Sequence, residues 1–341
     1  MKRLCRRRSA LVLVVAGGLA TLVAALAAPG SLFGKASAAS AVAAAGVRGG
    51  GASVVSADST TGIRVWKIRY RSRDGFATNA YLALPADYGP SHHPSIPLVI
   101  SPHGRNVEGR ANLVRWGSLP AAGSFAVISP DGRGRVLSLF SWGYAGQIDD
   151  LARMPEILRQ ELPWLTVDRR RIYSIGASMG GQEGLLLIAR FPHLLAGVAA
   201  LDSVTDFALQ YENFPRLGAS LGKKLQRLAR IEVGGTPKTA PAAYARRSPI
   251  TYAREIAFSG VPLEIWWSVK DAVVVDQSRQ SGDFFARLKR LNPSASVQEY
   301  VGSWTHGKDM HATTGLPRIL VTFGLLPSDY PVPPFPARKK S

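Results

Sequence analysis

A chain of 341 residues with 46% hydrophobic and 19% charged side chains has a globular composition, which excludes a disordered or fibrous protein. Its length suits one α/β domain of about 250–300 residues as well as two smaller ones. The 42 basic and 23 acidic side chains give a formal charge of +19, yet no basic tract exceeds three residues, so the excess reads as a basic solvated surface and no nucleic-acid partner is expected.

Arg6-Arg7-Arg8 precede an uncharged run from Ala10 to Ala28, and Ala36-Ser37-Ala38 follows it. A positive start, an apolar run and a small-residue exit describe a secretory signal peptide over residues 1–38. The run is long enough to cross a bilayer, but Gly17-Gly18 and many alanines make it a weak span. Cleavage and export, without stable membrane insertion, is therefore the expectation. Cys5 is the single cysteine and precedes the run, so the exported chain has neither a disulfide nor a thiol nucleophile. Residues 39–62, rich in Ala, Gly and Ser, read as a flexible lead-in, and residues 326–341 as a proline-containing basic tail.

From residue 63 strands alternate with helices. Ile63–Tyr70 and Ala80–Leu84 read as two strands flanking a turn at Asp74-Gly75. Pro97–Ser101 is a short apolar run ending in Pro102-His103-Gly104, and Phe125–Ser129 another ending in Pro130-Asp131-Gly132. Residues 146–162 have helical apolar spacing. Arg171–Ile175 is a strand and Gln182–Arg190 a helix; Gly197–Leu201, Leu263–Val269 and Val297–Val301 are further strands. Phe284–Leu291 and Leu316–Phe323 complete the helices. This alternation predicts an α/β fold: a mainly parallel central sheet flanked by helices, over residues 63–325. Residues 203–260 break the rhythm and suit a partly helical, lid-like insertion over one end of the sheet. Within it Phe207, Tyr211, Phe214, Leu217 and Leu221, beside Arg216, Lys223, Lys224 and Arg227, are expected to form one wall of a site. Trp142, Trp266, Trp267 and Trp304 suit either that wall or the core.

Gly176-Ala177-Ser178-Met179-Gly180-Gly181 sits between a strand and a helix. Small residues two before and two after a serine let the backbones pass closely in a sharp strand-to-helix turn, which leaves the hydroxyl exposed. The competing reading, a phosphate-binding glycine turn, lacks the lysine of a P-loop. Ser178 is thus the candidate nucleophile, and a serine hydroxyl needs a base to take its proton. Of the six histidines, His92 and His93 lie in a polar loop, His103 precedes the nucleophile, and His193 ends the elbow helix. Only His306 and His311 follow the last strand, where a Ser–acid–His order puts the base. His306, five residues after that strand and beside Gly307, is preferred to His311. The acid that orients the imidazole is Asp271, directly after the Leu263–Val269 strand and its Lys270; Asp276 and Asp202 are the alternatives. Two oxyanion donors are needed: the backbone N–H of Met179, and one from the loop after His103-Gly104, placed at Arg105. No cofactor and no metal are called for.

These pieces together resemble an α/β-hydrolase. Asp74-Gly75 before Ala80-Tyr-Leu-Ala-Leu-Pro85, His103-Gly104, Asp168-Arg-Arg-Arg-Ile-Tyr173, Gly176–Gly181, Lys270-Asp271-Ala-Val-Val274 and Thr305-His306-Gly307 are similar to the catalytic domain of the prolyl oligopeptidase clan and related secreted esterases. The resemblance implies a triad of Ser178, Asp271 and His306. Prolyl oligopeptidases carry a large β-propeller before this domain, and few residues precede residue 63 here. A secreted esterase acting on a small-molecule or polymer ester is therefore the expectation, with a peptidase or an inactive binding fold as alternatives.

Overall fold

The computed structural model describes residues 51–58, 60–132 and 141–337. The expected signal peptide, the first part of the lead-in and the last residues of the tail lie outside the described residues. In chain order the elements are β1 (Ala52–Asp58), β2 (Ile63–Arg71), β3 (Ala77–Pro85), β4 (Ile96–Ile100), α1 (Gly109–Val114), α2 (Leu119–Gly123), β5 (Ala126–Pro130), α3 (Ala145–Glu161) and β6 (Val167–Ala177). There follow α4 (Met179–Arg190), β7 (Gly197–Leu201), α5 (Phe207–Asn213), α6 (Ala219–Val233), α7 (Pro241–Ala245), α8 (Ala253–Ala257), β8 (Leu263–Ser268), α9 (Asp283–Leu291), β9 (Val297–Gly302) and α10 (Leu316–Thr322).

The nine strands form one sheet in the order β1-β2-β3-β5-β4-β6-β7-β8-β9. β1 to β3 and the β3–β5 pair are antiparallel; every pair from β5 through β9 is parallel. The strands β4, β5, β7 and β8 are buried along their whole length, as a parallel sheet covered on both faces requires. Alternate residues feed two cores. Leu98, Ile100, Ile128 and Ile265 point to the layer of α3, α4, α8 and α9. Val99, Val127, Ile175 and Trp266 point to the layer of α1, α2 and α10. The α/β class and every strand expected from Ile63 onward are present.

The chain leaves β4 toward β5 on one side and returns through β6 on the other. The carboxyl ends of β4 and β6 therefore flank a topological switch point, the crevice where open α/β sheets place their sites.

Three expectations are corrected. The flexible lead-in over 39–62 contains β1, which pairs with β2 from Ala52↔Ile68 to Asp58↔Ile63 around a bulge between Val54 and Ser56. Along β1 only an edge strand's weak alternation exists, with Val54 40% exposed, so its sequence carries little strand signal. The tail over 326–341 begins as core: Leu326 is buried, and Phe335 packs at 5.5 Å from Trp266 and 6.0 Å from Trp304. The insertion over 203–260 is helical in part as expected, but it is not lid-like to its end: its last helix, α8, joins the core with Ala253, Ile256 and Ala257.

Candidate active site

The turn after β6 is held by close backbone approaches. Ser178 has φ 60° and ψ −126°, a conformation that costs on the order of 1–3 kcal/mol for a non-glycine residue and needs surrounding structure to hold it. Two glycines allow it. A Cβ on Gly176 would meet the Gly180 carbonyl carbon at 2.6 Å, and one on Gly180 would meet the Pro102 oxygen at 2.2 Å. The second approach also presses the loop after β4 against the elbow. A Cβ on Gly104 would lie 3.6 Å from Ser178 Cβ, so Arg105 begins beside the nucleophile candidate. Met179 is the first residue of α4, where N–H groups lack intrahelical acceptors and the helix dipole is positive.

The loop after β4 is pinned from below. Asn112 Nδ2 donates to the Ser101 carbonyl at 3.1 Å and to the Ser129 hydroxyl at 3.1 Å, and Trp116 Nε1 donates to Ser101 Oγ at 3.2 Å. His103 is buried, its Nε2 2.6 Å from the Asp131 carbonyl. The His103 Nδ1 lies 2.8 Å from the Gly104 carbonyl, so the ring bridges the two loops and staples them together.

The candidate acid and base meet on the loops after the neighbouring strands β8 and β9. His306 Nδ1 lies 2.8 Å from Asp271 Oδ2. The second oxygen of Asp271 accepts from the backbone N–H groups of Val273 and Val274 at 2.8 and 3.0 Å, and Gln277 Nε2 donates to Oδ2 at 3.1 Å. These donors turn the carboxylate toward the ring. Burial pushes the His306 pKa down, but the hydrogen bond and charge of Asp271, with the charge of Asp202, outweigh it; the net shift is upward. The side chain of His306 keeps 18% exposure, leaving it open toward the surface.

Of the other candidates, His311 and Asp276 go elsewhere, while Asp202 lies beside the pair. His311 is exposed and its Nδ1 meets Thr313 Oγ1 at 3.0 Å, not a carboxylate. Asp276 pairs with Arg216 Nη1 at 2.6 Å. Asp202 is buried at the end of β7, within 4.8 Å of Asp271 and His306 measured between ligand atoms. His92, His93 and His193 are exposed. The Asp202–Asp271–His306 group has the residue types of a metal site, but its carboxylate oxygens face N–H donors, which suit anions already satisfied rather than a cation.

The insertion does not present its aromatic residues as expected. Phe207, Tyr211 and Phe214 are buried with Trp142, Met179, Leu225 and Tyr244 in one cluster. The Trp142 ring lies 5.1 Å from Phe207 and 5.5 Å from Phe214. Apolar side chains at that spacing bury more surface against each other than against a solvated cleft, and through Met179 the cluster packs against the elbow helix. Trp266, Trp267 and Trp304 are buried too.

A polar network that the sequence did not signal joins the insertion to the loop carrying Arg105. The Arg105 guanidinium stacks over Trp142 with its Cζ 3.7 Å from the ring centroid and lies 3.8 Å from Glu232 on α6. Glu232 also accepts from the Ser141 backbone and from Arg247 at 3.4 Å. Burial drives the Glu232 pKa up, partly offset by both arginines. Gln277 likewise had no signal: a glutamine six residues beyond an aspartate is uninformative until a loop folds back.

No protein-family model matches the sequence. A curated relative, the uncharacterized peptidase YtmA of Bacillus subtilis, is 27% identical over 186 residues, which cover 54% of this chain and 66% of that protein. Among solved structures, acylaminoacyl peptidase from Pyrococcus horikoshii superposes with a TM-score of 0.56 at 18% identity; the match covers 73% of this chain and 38% of that one. S-formylglutathione hydrolase from Staphylococcus aureus superposes with a TM-score of 0.56 at 18% identity, covering 77% of this chain and 99% of that one. The sheet order, the elbow after β6 and these likenesses agree: the chain has the α/β-hydrolase fold.

Proposed function

We propose that the chain is a serine hydrolase that cleaves carboxylic esters through an acyl-enzyme intermediate. The observation that carries this reading is the 2.8 Å contact of His306 with Asp271, on the same sheet edge as a serine in the strained elbow conformation. In this mechanism His306 Nε2 takes the Ser178 hydroxyl proton as the oxygen attacks the ester carbonyl. Asp271, bonded to Nδ1, holds the tautomer that leaves Nε2 free and stabilises the imidazolium that forms. The N–H groups of Met179 and Arg105 receive the oxyanion. His306 then returns the proton to the leaving alkoxide, and a water deacylates Ser178 by the same route reversed. A neutral histidine is the active base, so activity falls as pH drops through its pKa.

Esters are favoured over peptides because an alkoxide leaves more readily than an amide nitrogen, so a site without extended backbone-binding subsites still turns them over. The predicted export signal fits a substrate met outside the cytoplasm. The test is kcat/KM on an unactivated alkyl ester series beside a dipeptide amide series. The ester value should exceed the amide value by at least about 100-fold, roughly 2.7 kcal/mol of barrier. The relative named a peptidase favours a second reading, a serine peptidase, and faster cleavage of a peptide than of the alkyl ester would select it.

A further inference from the structure

Asp202 is wholly buried at the end of β7, yet three N–H donors converge on it. Ser268 N donates to Oδ1 at 3.1 Å. Trp304 Nε1 and Gly307 N donate to Oδ2 at 2.9 and 2.8 Å. Trp304 and Gly307 bracket His306 in the chain, so one carboxylate grips the base loop on both sides. Only a carboxylate satisfies all three donors, because an asparagine would turn its own N–H groups toward one of them. The charged groups around it are Asp271 from the loop after β8, His306 from the loop after β9, and Arg115 at the end of α1, whose Nη1 donates to the Gly307 carbonyl at 3.1 Å. Asp271 is a like charge, so its proximity destabilises the charged pair whenever His306 is neutral. An imidazolium within 4.8 Å of both relieves that repulsion.

We infer that Asp202 is a positioning residue for the serine-hydrolase reaction: it fixes the loop that carries His306 and adds a second negative charge that stabilises the imidazolium formed when Ser178 attacks. This inference rests on the serine-hydrolase reading. A charge that matters more once His306 is protonated lowers the barrier instead of merely tightening binding. Burial and the charge of Asp271 raise the Asp202 pKa to about 6, against the opposing effects of His306 and the N–H donors. The three converging N–H donors are complementary to the charged carboxylate.

The test compares wild type, Asp202→Asn and Trp304→Phe in kcat, KM and the pH profile of kcat/KM on a p-nitrophenyl ester. His306 is titrated in parallel by NMR in each protein. Asp202→Asn should lower kcat about tenfold or more with KM nearly unchanged, and move both the acidic limb and the His306 titration to lower pH by about half a unit or more. Trp304→Phe keeps the charge and loosens the grip, so kcat should fall without that downward shift. Wild-type kcat and an unmoved His306 titration in folded Asp202→Asn would overturn the inference. If Asp202→Asn does not fold, wild-type kcat in Trp304→Phe overturns it. The NMR titration needs no turnover, so a wild-type protein that hydrolyses nothing would defeat the serine-hydrolase reading separately.

Discussion

Ser178, His306 and Asp271 come from three strand ends, and the roles assigned to them make different demands. Replacing Ser178 by Ala should reduce ester turnover by about a thousandfold or more while leaving the circular dichroism spectrum unchanged, since triad members act as a unit. His306→Ala should match that loss, whereas His311→Ala, whose imidazole meets Thr313, should stay within about threefold of wild type. Equal losses in both histidine variants would remove the assignment. The pH dependence has a definite sign. The His306 pKa is raised, so the protonated, inactive form persists to higher pH than for a free imidazole. The acidic limb of kcat/KM should thus have its midpoint above the ordinary histidine value of about 6.5; a midpoint below it would contradict the Asp271–His306 contact.

At the scale of elements, the insertion acts through α6. Glu232 is buried on that helix with Arg105 and Arg247 around it, the three side chains 0%, 10% and 11% exposed. Glu232→Ala would leave two largely buried guanidinium groups without their shared carboxylate, a change that costs about 3–5 kcal/mol. Thermal unfolding should show a loss of several degrees or more. An unchanged midpoint would mean that the network is solvated and contributes little. Elements differ in how far the sequence disclosed them. The buried strands Gly197–Leu201 and Leu263–Ser268 were legible because uninterrupted apolar runs have few other uses. The elbow was legible because serine between glycines at a strand end has a steric reason. By contrast β1 was not, because an edge strand exposes half its side chains. The Phe207, Tyr211 and Phe214 cluster was misassigned to a cleft wall because aromatic spacing does not say what lies opposite. Asp202 was visible only as an alternative acid. Its three donors come from Ser268, Trp304 and Gly307, which are neighbours only after β7, β8 and β9 align.

At the scale of the molecule, the sheet order brings every proposed reacting group to one edge. The β4 and β6 ends flank the switch point, and β8 and β9 deliver Asp271 and His306 on the parallel neighbours beyond β7. Among the described residues, no helix is long and apolar enough to cross a membrane. The central claim is that Ser178 is a nucleophile activated by His306, and it is tested most directly by fluorophosphonate labelling followed by peptide mapping. The wild-type protein should carry one adduct, on Ser178, with labelling abolished in Ser178→Ala and slowed by about a thousandfold or more in His306→Ala. An adduct on another residue, or a folded protein that remains unlabelled, would contradict it.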